Sequence, residues 1–296
     1  MSNANEIKQH LKAVEQTRKI TNAMYLLSTS RMKKAMSSID FNLFYLQRLR
    51  TTIKDILSKT KNNNLTNKFI EEREKGSAVF VVVTSDKGLC GGYNSSVVNL
   101  ALEKMKEHKD PMVISLGIIG DRLFKNHDIE PAYSWYGASQ HPTLNLAGQV
   151  ASKLIELFLT NDYREVYLVY TEYISSSVQT PCVKRLLPLL RRDFLDIDFE
   201  SDKRAQMIYE PSIESVFEHI VYQYVTGFMY DVFMQSAVSE NIARMNAMQN
   251  ATKNADEMIE ALGKELNAAR QLQITNEITE IAAATELQKD DSILLI

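Results

Sequence analysis

Proline and glycine are almost missing from the two ends of this chain. All six prolines lie between Pro111 and Pro211, and eight of the ten glycines lie between Gly76 and Gly148. Proline in a helix interior costs roughly 3 kcal/mol and glycine about 1 kcal/mol, so segments that lack them can form long helices. The composition therefore predicts a long helix at each end and a compact region between them.

Cysteines and long apolar runs are also scarce. The 296 residues include two cysteines, Cys90 and Cys182, which provide neither a disulfide framework nor CxxC spacing for zinc. No apolar run approaches the ~18 residues of a membrane-spanning helix. The start of the chain is charged and polar, which argues against a secretory signal. The five histidines show no metal-binding spacing, so no metal site is expected.

The net charge of −3 hides a strong asymmetry between the two ends. Residues 1–61 carry twelve Lys/Arg and four Asp/Glu, a net charge of +8, whereas residues 212–296 carry five and thirteen, a net charge of −8. A basic segment alone would favour nucleic acid binding. Two segments of equal and opposite charge favour pairing with each other. Because an exposed ion pair contributes only about 0–1 kcal/mol, the charges would select the partner more than stabilise the pair.

Apolar residues at alternating spacings of four and three predict that both end segments are helices facing a partner helix. In the first segment this stripe consists of Ile7, Leu11, Val14, Tyr25, Met32, Ala35, Ile39, Leu46, Leu49, Ile53 and Ile56, with Arg18, Thr21, Ser28 and Asn42 as polar members. In the last segment it consists of Val238, Ile242, Met245, Thr252, Ala255, Ile259, Leu262, Leu266 and Ala269. Periodicity alone leaves open whether the stripes are simply the core of a helical hairpin.

The middle of the chain alternates between strand and helix patterns. Strands are predicted at 78–83, 112–116, 165–173 and 180–187, and helices at 95–109, 121–126 and 145–159. This alternation is typical of βαβ units and a mostly parallel sheet. The predicted fold class is therefore α/β, with two long terminal helices and a central α/β domain. The predicted domains are 1–61, 76–211 and 212–296.

One loop has the position of an active site, between the first strand and the first helix of the middle. Its sequence, TSDKGLCGGYN at 84–94, matches neither GxGxxG nor GxxxxGK[ST], so a tight turn is favoured over a phosphate-binding loop. Cys90 has no histidine nearby in sequence, which favours a packed thiol over a nucleophile. We therefore predict no catalytic residue and no cofactor.

Three segments resemble, in order, the gamma subunit of F-type ATP synthase. They are IKQHLKAVEQTRKITNAM at 7–24, TSDKGLCGGYN at 84–94, and ENIARMNAMQNATKNADEMI with NAARQLQITNEITEI between 240 and 281. The resemblance implies a Rossmann-like central domain and an antiparallel coiled coil of the terminal helices. It implies a non-catalytic rotor shaft that couples ion-driven rotation of the c-ring to ATP synthesis or hydrolysis at the beta subunits.

The resemblance also implies partners and a location. The partners would be three alpha and three beta subunits, the epsilon subunit and the c-ring, and the location the cytoplasmic face of a bacterial cell membrane. By position, residues expected to contact beta are Met24, Arg270, Gln271, Thr275 and Glu277. Tyr209 and Glu210 match the foot of the shaft near the c-ring. The tail at 285–296 departs from the family pattern and is predicted to be mobile or weakly docked.

Two other functions compete with this interpretation. An α/β enzyme or nucleotide-binding protein with a coiled-coil dimerisation arm would use the 84–94 loop as its site. A nucleic acid binder would use the basic first segment, but the overall pI of about 6.0 and the acidic last segment weaken that reading. Nothing in the sequence distinguishes proton from sodium coupling, or net ATP synthesis from hydrolysis.

Overall fold

The structure is a computed structural model that describes residues 4–59, 67–74, 76–160, 163–197 and 209–293. Its helices are α1 (Ala4–Lys59), α2 (Tyr93–Met105), α3 (Ile118–Lys125), α4 (Leu144–Thr160) and α5 (Ile213–Ile293). Its strands are β1 (Ser77–Val83), β2 (Met112–Leu116), β3 (Tyr133–Trp135), β4 (Tyr163–Tyr173) and β5 (Gln179–Leu187).

The two terminal helices have the length that the lack of helix breakers predicts. Helix α1 contains 56 residues and α5 contains 81. Helix α5 begins just after Pro211, where the Ser212 hydroxyl accepts a hydrogen bond of 3.2 Å from the Ser215 N–H. This side-chain bond satisfies one of the N–H groups that the first helical turn leaves unpaired, so Ser212 caps the helix.

The strands form one mostly parallel sheet with the order β3-β2-β1-β4-β5. Strand β1 pairs in parallel with β2 and β4, and β2 pairs in parallel with β3, whereas β4 and β5 are antiparallel. The sheet and the four strands predicted from the sequence are confirmed. Strand β3 was missed, because three residues without an apolar run give too weak a periodic signal.

Alternate residues of β1 serve two hydrophobic cores, because successive side chains of a strand point to opposite faces. Val79, Val81 and Val83 belong to a core built with α4, α5 and the end of α1. Phe80 and Val82 belong to a second core built with α2 and α3. Helices on both faces explain why the whole strand reads as a continuous apolar run.

The chain divides into two compact units, Met1–Leu27 with Asn246–Ile296, and Ser28–Met245. In the first unit Thr21 lies opposite Thr252, with 2.7 Å between the hydroxyl oxygens, and Arg18 lies 3.3 Å from Asp256. Residues earlier in α1 pair with residues later in α5, so the two helices run antiparallel, as predicted.

In the second unit the same two helices pair in the same sense. Ile39 shares a core with Val238 and Ile242, and the Asn42 amide donates a 3.2 Å hydrogen bond to the Gly227 carbonyl. The antiparallel pairing of the terminal helices, which the family resemblance implied, is thereby confirmed. The predicted domain boundaries at 61, 76 and 211–212 stay a prediction.

Candidate partner-binding surfaces

The 84–94 loop is held by its own side chains at the carboxyl end of β1. The Ser85 N–H donates to the Asn94 side-chain oxygen at 2.8 Å, and the Asn94 amide donates to the Ser85 hydroxyl at 2.7 Å. Asp86 accepts hydrogen bonds from the Ile118 and Gly137 N–H groups at 3.2 Å and 2.8 Å. The loop is therefore a closed turn that ties neighbouring loops together, as the tight-turn prediction requires.

Helix α5 lies across the edge of the sheet where a doubly wound fold binds its ligand. That position is the switch point at the carboxyl ends of β1 and β4, whose connections run in opposite directions across the sheet. Here the Tyr93 hydroxyl donates to the Ser236 carbonyl and the Ser239 hydroxyl to the Thr171 carbonyl, each at 3.3 Å. The crevice that an enzyme of this fold would use is filled by protein.

A buried ion pair fixes the tip of the loop to α5. Arg244 and Glu240 lie 2.7 Å apart, with 8% and 3% of their side chains exposed. The Arg244 guanidinium also donates to the carbonyl oxygens of Lys87 and Gly88. A guanidinium offers five donors, so it can satisfy the carboxylate and two carbonyls at once. Sequence reasoning missed this contact, although both partners lie in segments that carry the family resemblance.

Cys90 is a packed thiol in this arrangement. It is 2% exposed, and the Asn94 amide donates to its sulfur at 3.2 Å. Burial raises the pKa of the Cys90 thiol, which keeps it protonated and weakly nucleophilic. No cluster of His, Cys, Asp or Glu that could hold a metal occurs among the described residues.

The four predicted contact residues of α5 lie together on an exposed surface. Arg270, Gln271, Thr275 and Glu277 are all exposed. Between them runs an apolar stripe of Ile274, Ile278 and Ile281, with 56%, 62% and 68% exposed. The spacing of four and three places the three isoleucines on one face of the helix. Exposed apolar side chains in a continuous stripe are typical of a binding surface.

Met24 belongs to a second exposed stripe, on α1. Ile20 and Leu27 are 60% and 52% exposed, and Met24 lies between them at the same helical spacing, half-buried. Thr21, next to Ile20 in the chain, instead faces α5 and is 8% exposed. Met24 therefore lies at the border between the seam and the exposed stripe, and the structure does not bring it to the α5 residues predicted with it.

The two residues predicted to lie at the foot of the shaft, Tyr209 and Glu210, differ in exposure and in their contacts. The Tyr209 hydroxyl donates a 2.7 Å hydrogen bond to the Asp55 carboxylate on α1. Burial, the hydrogen bond and the Asp55 charge raise the pKa of Tyr209. Glu210 is exposed. Tyr209 thus holds the chain just before α5 against α1, and Glu210 presents an exposed carboxylate that forms no ion pair with the described residues.

The predicted mobile tail at 285–296 overlaps the end of helix α5, and only residues 294–296 of it lie outside the described residues. Helix α5 continues to Ile293, so its backbone is helical to that point. The side chains beyond Ala282 are not described, and the prediction about docking stays a prediction.

Comparison with known proteins identifies the family. A family model described as ATP synthase matches residues 3–286. The ATP synthase gamma chain of Caldanaerobacter subterraneus subsp. tengcongensis is 38% identical over 291 residues, covering 93% of this chain and 97% of the relative. The ATP synthase gamma chain of Acetivibrio thermocellus is 34% identical over 301 residues, covering 98% and 100%. This chain belongs to the ATP synthase gamma chain family.

Solved structures agree on the fold. A chain of the Euglena gracilis mitochondrial ATP synthase, in a structure of its OSCP, F1 and c-ring, matches with a TM-score of 0.67 and 16% identity, covering 96% of this chain and 94% of that one. A chain from the central stalk and c-ring of the Tetrahymena thermophila mitochondrial ATP synthase matches with a TM-score of 0.60 and 22% identity, covering 78% and 99%.

Family membership confirms the resemblance seen in the sequence and, with it, the prediction of a non-catalytic subunit. None of the helices in the described residues is both long and apolar enough to span a membrane.

Proposed function

We propose that this chain is the central rotor shaft of an F-type ATP synthase. It would turn with an ion-driven c-ring and impose different conformations on the three beta subunits. The observation that carries this proposal is the pair of antiparallel helices in the unit Met1–Leu27 with Asn246–Ile296, whose outer faces expose apolar stripes on both helices. Such stripes are expected of a helix pair that works inside a partner.

The apolar stripe on α5 lies between the residues that the family resemblance assigns to contacts with the beta subunit. Ile274, Ile278 and Ile281 are flanked by Arg270 and Glu277 on one side and by Gln271 and Thr275 on the other, following the helical angle of about 100° per residue. An apolar centre with a polar rim is the usual anatomy of an interface. The shaft can shift the conformational equilibrium of a beta subunit only if it contacts the alternative conformations of that subunit differently.

Glu210 is the proposed contact to the c-ring, with Tyr209 as the residue that positions it. The exposed carboxylate suits a basic or polar loop of the ring, and the bond from Tyr209 to Asp55 fixes the backbone beside it. The epsilon subunit would bind the α/β unit. Through these partners the chain would lie at the cytoplasmic face of a bacterial membrane, without a membrane-spanning segment of its own among the described residues.

Reconstitution tests the proposal directly. Purified chain is mixed with alpha and beta subunits of a close bacterial relative, and the product is assayed for ATPase activity and for rotation of a bead attached to the chain through a cysteine in the α/β unit. We expect one copy per three alpha and three beta subunits, and stepwise rotation driven by ATP. An enzyme with a dimerisation arm would instead form a homodimer, bind nucleotide tightly by itself and leave the alpha and beta subunits unaffected.

A further inference from the structure

A cavity of about 380 Å³ lies in the unit Ser28–Met245, between α1, the loop that precedes α4, and α5. Its basic side chains are Arg31 and Lys34 from α1 and His141 from the loop. None of the described residues that line it is acidic. The cavity is therefore a concentration of positive charge that neither the loop at 84–94 nor the exposed stripes explain.

These basic groups are not neutralised within the described part of the chain. Neither Arg31 nor Lys34 forms an ion pair there, and His141 makes no side-chain hydrogen bond. The described carboxylates of the neighbouring stretch of α5 are engaged elsewhere, Glu240 with Arg244 and Asp231 with the Gln235 amide. A cluster of like charges left without counter-charge favours an anion as its partner.

Helix α4 adds to this preference. Its 17 residues begin at Leu144, directly after the loop, and the Thr143 hydroxyl, which lines the cavity, accepts the Leu146 N–H at 3.2 Å. The first turn of a helix carries partial positive charge, because its N–H groups have no partner within the helix. The cavity thus combines side-chain cations with the favourable end of a helix dipole.

Two buried polar atoms at the cavity wall have no partner among the described residues. Ser139 is 2% exposed and Asn241 5% exposed, and no described group hydrogen-bonds the Ser139 hydroxyl or the Asn241 side-chain oxygen. The Asn241 amide nitrogen already donates to the Ala237 carbonyl at 2.7 Å, so its oxygen is the atom left free. An unpaired buried polar atom costs about 1–3 kcal/mol, and a ligand at the cavity could remove that cost.

We propose that this cavity binds a phosphate group, either as inorganic phosphate or as the terminal phosphate of a nucleotide. Arg31 and Lys34 compensate its charge, a ring N–H of His141 and the Ser139 hydroxyl donate hydrogen bonds to its oxygens, and the Asn241 oxygen accepts the proton of the hydrogen phosphate ion. Because these groups come from α1, α5 and the loop, occupancy ties the three elements together. The proposal goes beyond the rotor function and does not depend on it.

Phosphate titration of the full chain tests the site. Binding is measured calorimetrically at pH 7 and constant ionic strength, with chloride replacing phosphate in the reference, and the melting temperature is followed in parallel. We expect saturable binding and a rise in melting temperature. Arg31→Gln and Lys34→Gln should each weaken binding at least tenfold. Lys33→Gln, which removes the same charge one residue away and outside the cavity, should change it less than threefold.

Further measurements identify the ligand and check that each variant is still folded. Each variant is first compared with the wild type in chloride alone, and Lys34, being exposed, offers a substitution that leaves the fold intact. Sulfate has no proton to donate to Asn241 and should bind several-fold more weakly than phosphate. Tighter binding of ADP than of phosphate, lost in Lys34→Gln, would assign the site to a nucleotide. Absence of saturable binding, or equal weakening by Lys33→Gln, overturns the proposal.

Discussion

A buried ionisable side chain makes the stability of the chain depend on pH, because burial shifts its pKa. Asp231 is 3% exposed, and burial raises the pKa of its carboxyl above 3.8, although hydrogen bonds from Gln235 and Asn42 oppose the shift. The folded state therefore holds this proton more tightly than the unfolded state. Its contribution to stability is greatest at acid pH and declines as the pH rises through the folded pKa.

Asp231→Asn should consequently stabilise the chain near pH 8 and lose that advantage near pH 4. Asparagine cannot ionise but can still accept the bond from Gln235, so we expect a gain of about 1.4 kcal/mol for each unit by which the pKa is raised. Urea unfolding at the two pH values measures it. Asp256→Asn removes an exposed carboxylate paired with Arg18 and should change stability by less than about 1 kcal/mol at either pH. Equal effects of the two variants would contradict the argument.

Met24 tests the proposed contact on α1. Lysine at this position places a charge at an interface where an unpaired charge costs several kcal/mol. We expect Met24→Lys to assemble with alpha and beta subunits but to pump ions poorly for the ATP it hydrolyses. Leu26→Lys is the matched control, since Leu26 is 59% exposed and points away from the stripe of Met24. If both variants couple like the wild type, Met24 is not a contact residue.

Arg270 tests the proposed contact on α5. Its guanidinium has no partner among the described residues, so its loss should leave the isolated chain as stable as before. We expect Arg270→Gln to lower the ATPase turnover of the reconstituted complex at least tenfold. Lys264→Gln also removes an exposed cation from α5, one that pairs with Glu260 at 2.7 Å, and should lower turnover less than twofold. Comparable losses in both would point to net charge instead of a specific contact.

The sequence was enough to propose which residues contact partners, but not to identify the contacts that hold the elements together. Met24 and Arg270 could be proposed as contact residues because positions on a helix surface follow from the helical period and the family pattern, and both assignments stay predictions. The contacts of Arg244 with the Lys87 and Gly88 carbonyls, and of Tyr209 with Asp55, join residues that are distant in sequence and belong to different elements. Their contacts depend on how α1, α5 and the 84–94 loop pack, which no local pattern encodes.

At the scale of elements, the two glycines of α5 differ in what surrounds them. A Cβ added to Gly227 would lie 3.1 Å from the Leu46 side chain and 3.4 Å from Tyr45, whereas a Cβ added to Gly263 meets nothing within 4 Å. Gly227 therefore permits α1 to approach closely, next to the hydrogen bond from Asn42. Gly263 has no such reason to remain glycine.

Alanine substitutions should separate these two roles. Glycine in a helix interior costs about 1 kcal/mol relative to alanine, so Gly263→Ala should stabilise its stretch of α5 by roughly that amount. Gly227→Ala gains the same propensity but displaces Leu46, and we expect no net gain or a loss. Amide hydrogen exchange along α5 reports both local effects in one experiment. Equal protection gained at the two positions would show that the close approach near Gly227 has no energetic weight.

The elements themselves were largely predictable, for a physical reason. The strand at Met112–Leu116 and the long helices α1 and α5 follow from apolar runs, heptad spacing and the positions of proline and glycine. Three polar members of the α1 stripe, Thr21, Ser28 and Asn42, are buried as predicted, whereas Arg18 is exposed and pairs with Asp256. The partners of the buried three were not foreseen. Thr21 pairs with Thr252 only because the antiparallel register brings two hydroxyls together.

At the scale of the whole molecule, the question is whether the two long helices move together or slide against each other. In a rotor the helices turn together as one body, so a covalent link between them should not interfere. The 2.7 Å between the hydroxyls of Thr21 and Thr252 places these positions within reach of a disulfide. The partner surfaces on the stripes of Ile20 and Ile274 are left untouched by such a link.

The double variant Thr21→Cys, Thr252→Cys, made in a chain with Cys90→Ala and Cys182→Ala, should therefore oxidise readily and remain active. We expect the oxidised complex to hydrolyse ATP and rotate at a rate within about twofold of the reduced complex, since neither state alters the contacts with beta. Each single cysteine variant controls for the substitution itself, and a gel-mobility shift under non-reducing conditions reports the link. Activity that vanishes on oxidation and returns with reductant would mean that α1 and α5 must move against each other, and a rigid shaft would no longer describe how this chain couples rotation to ATP.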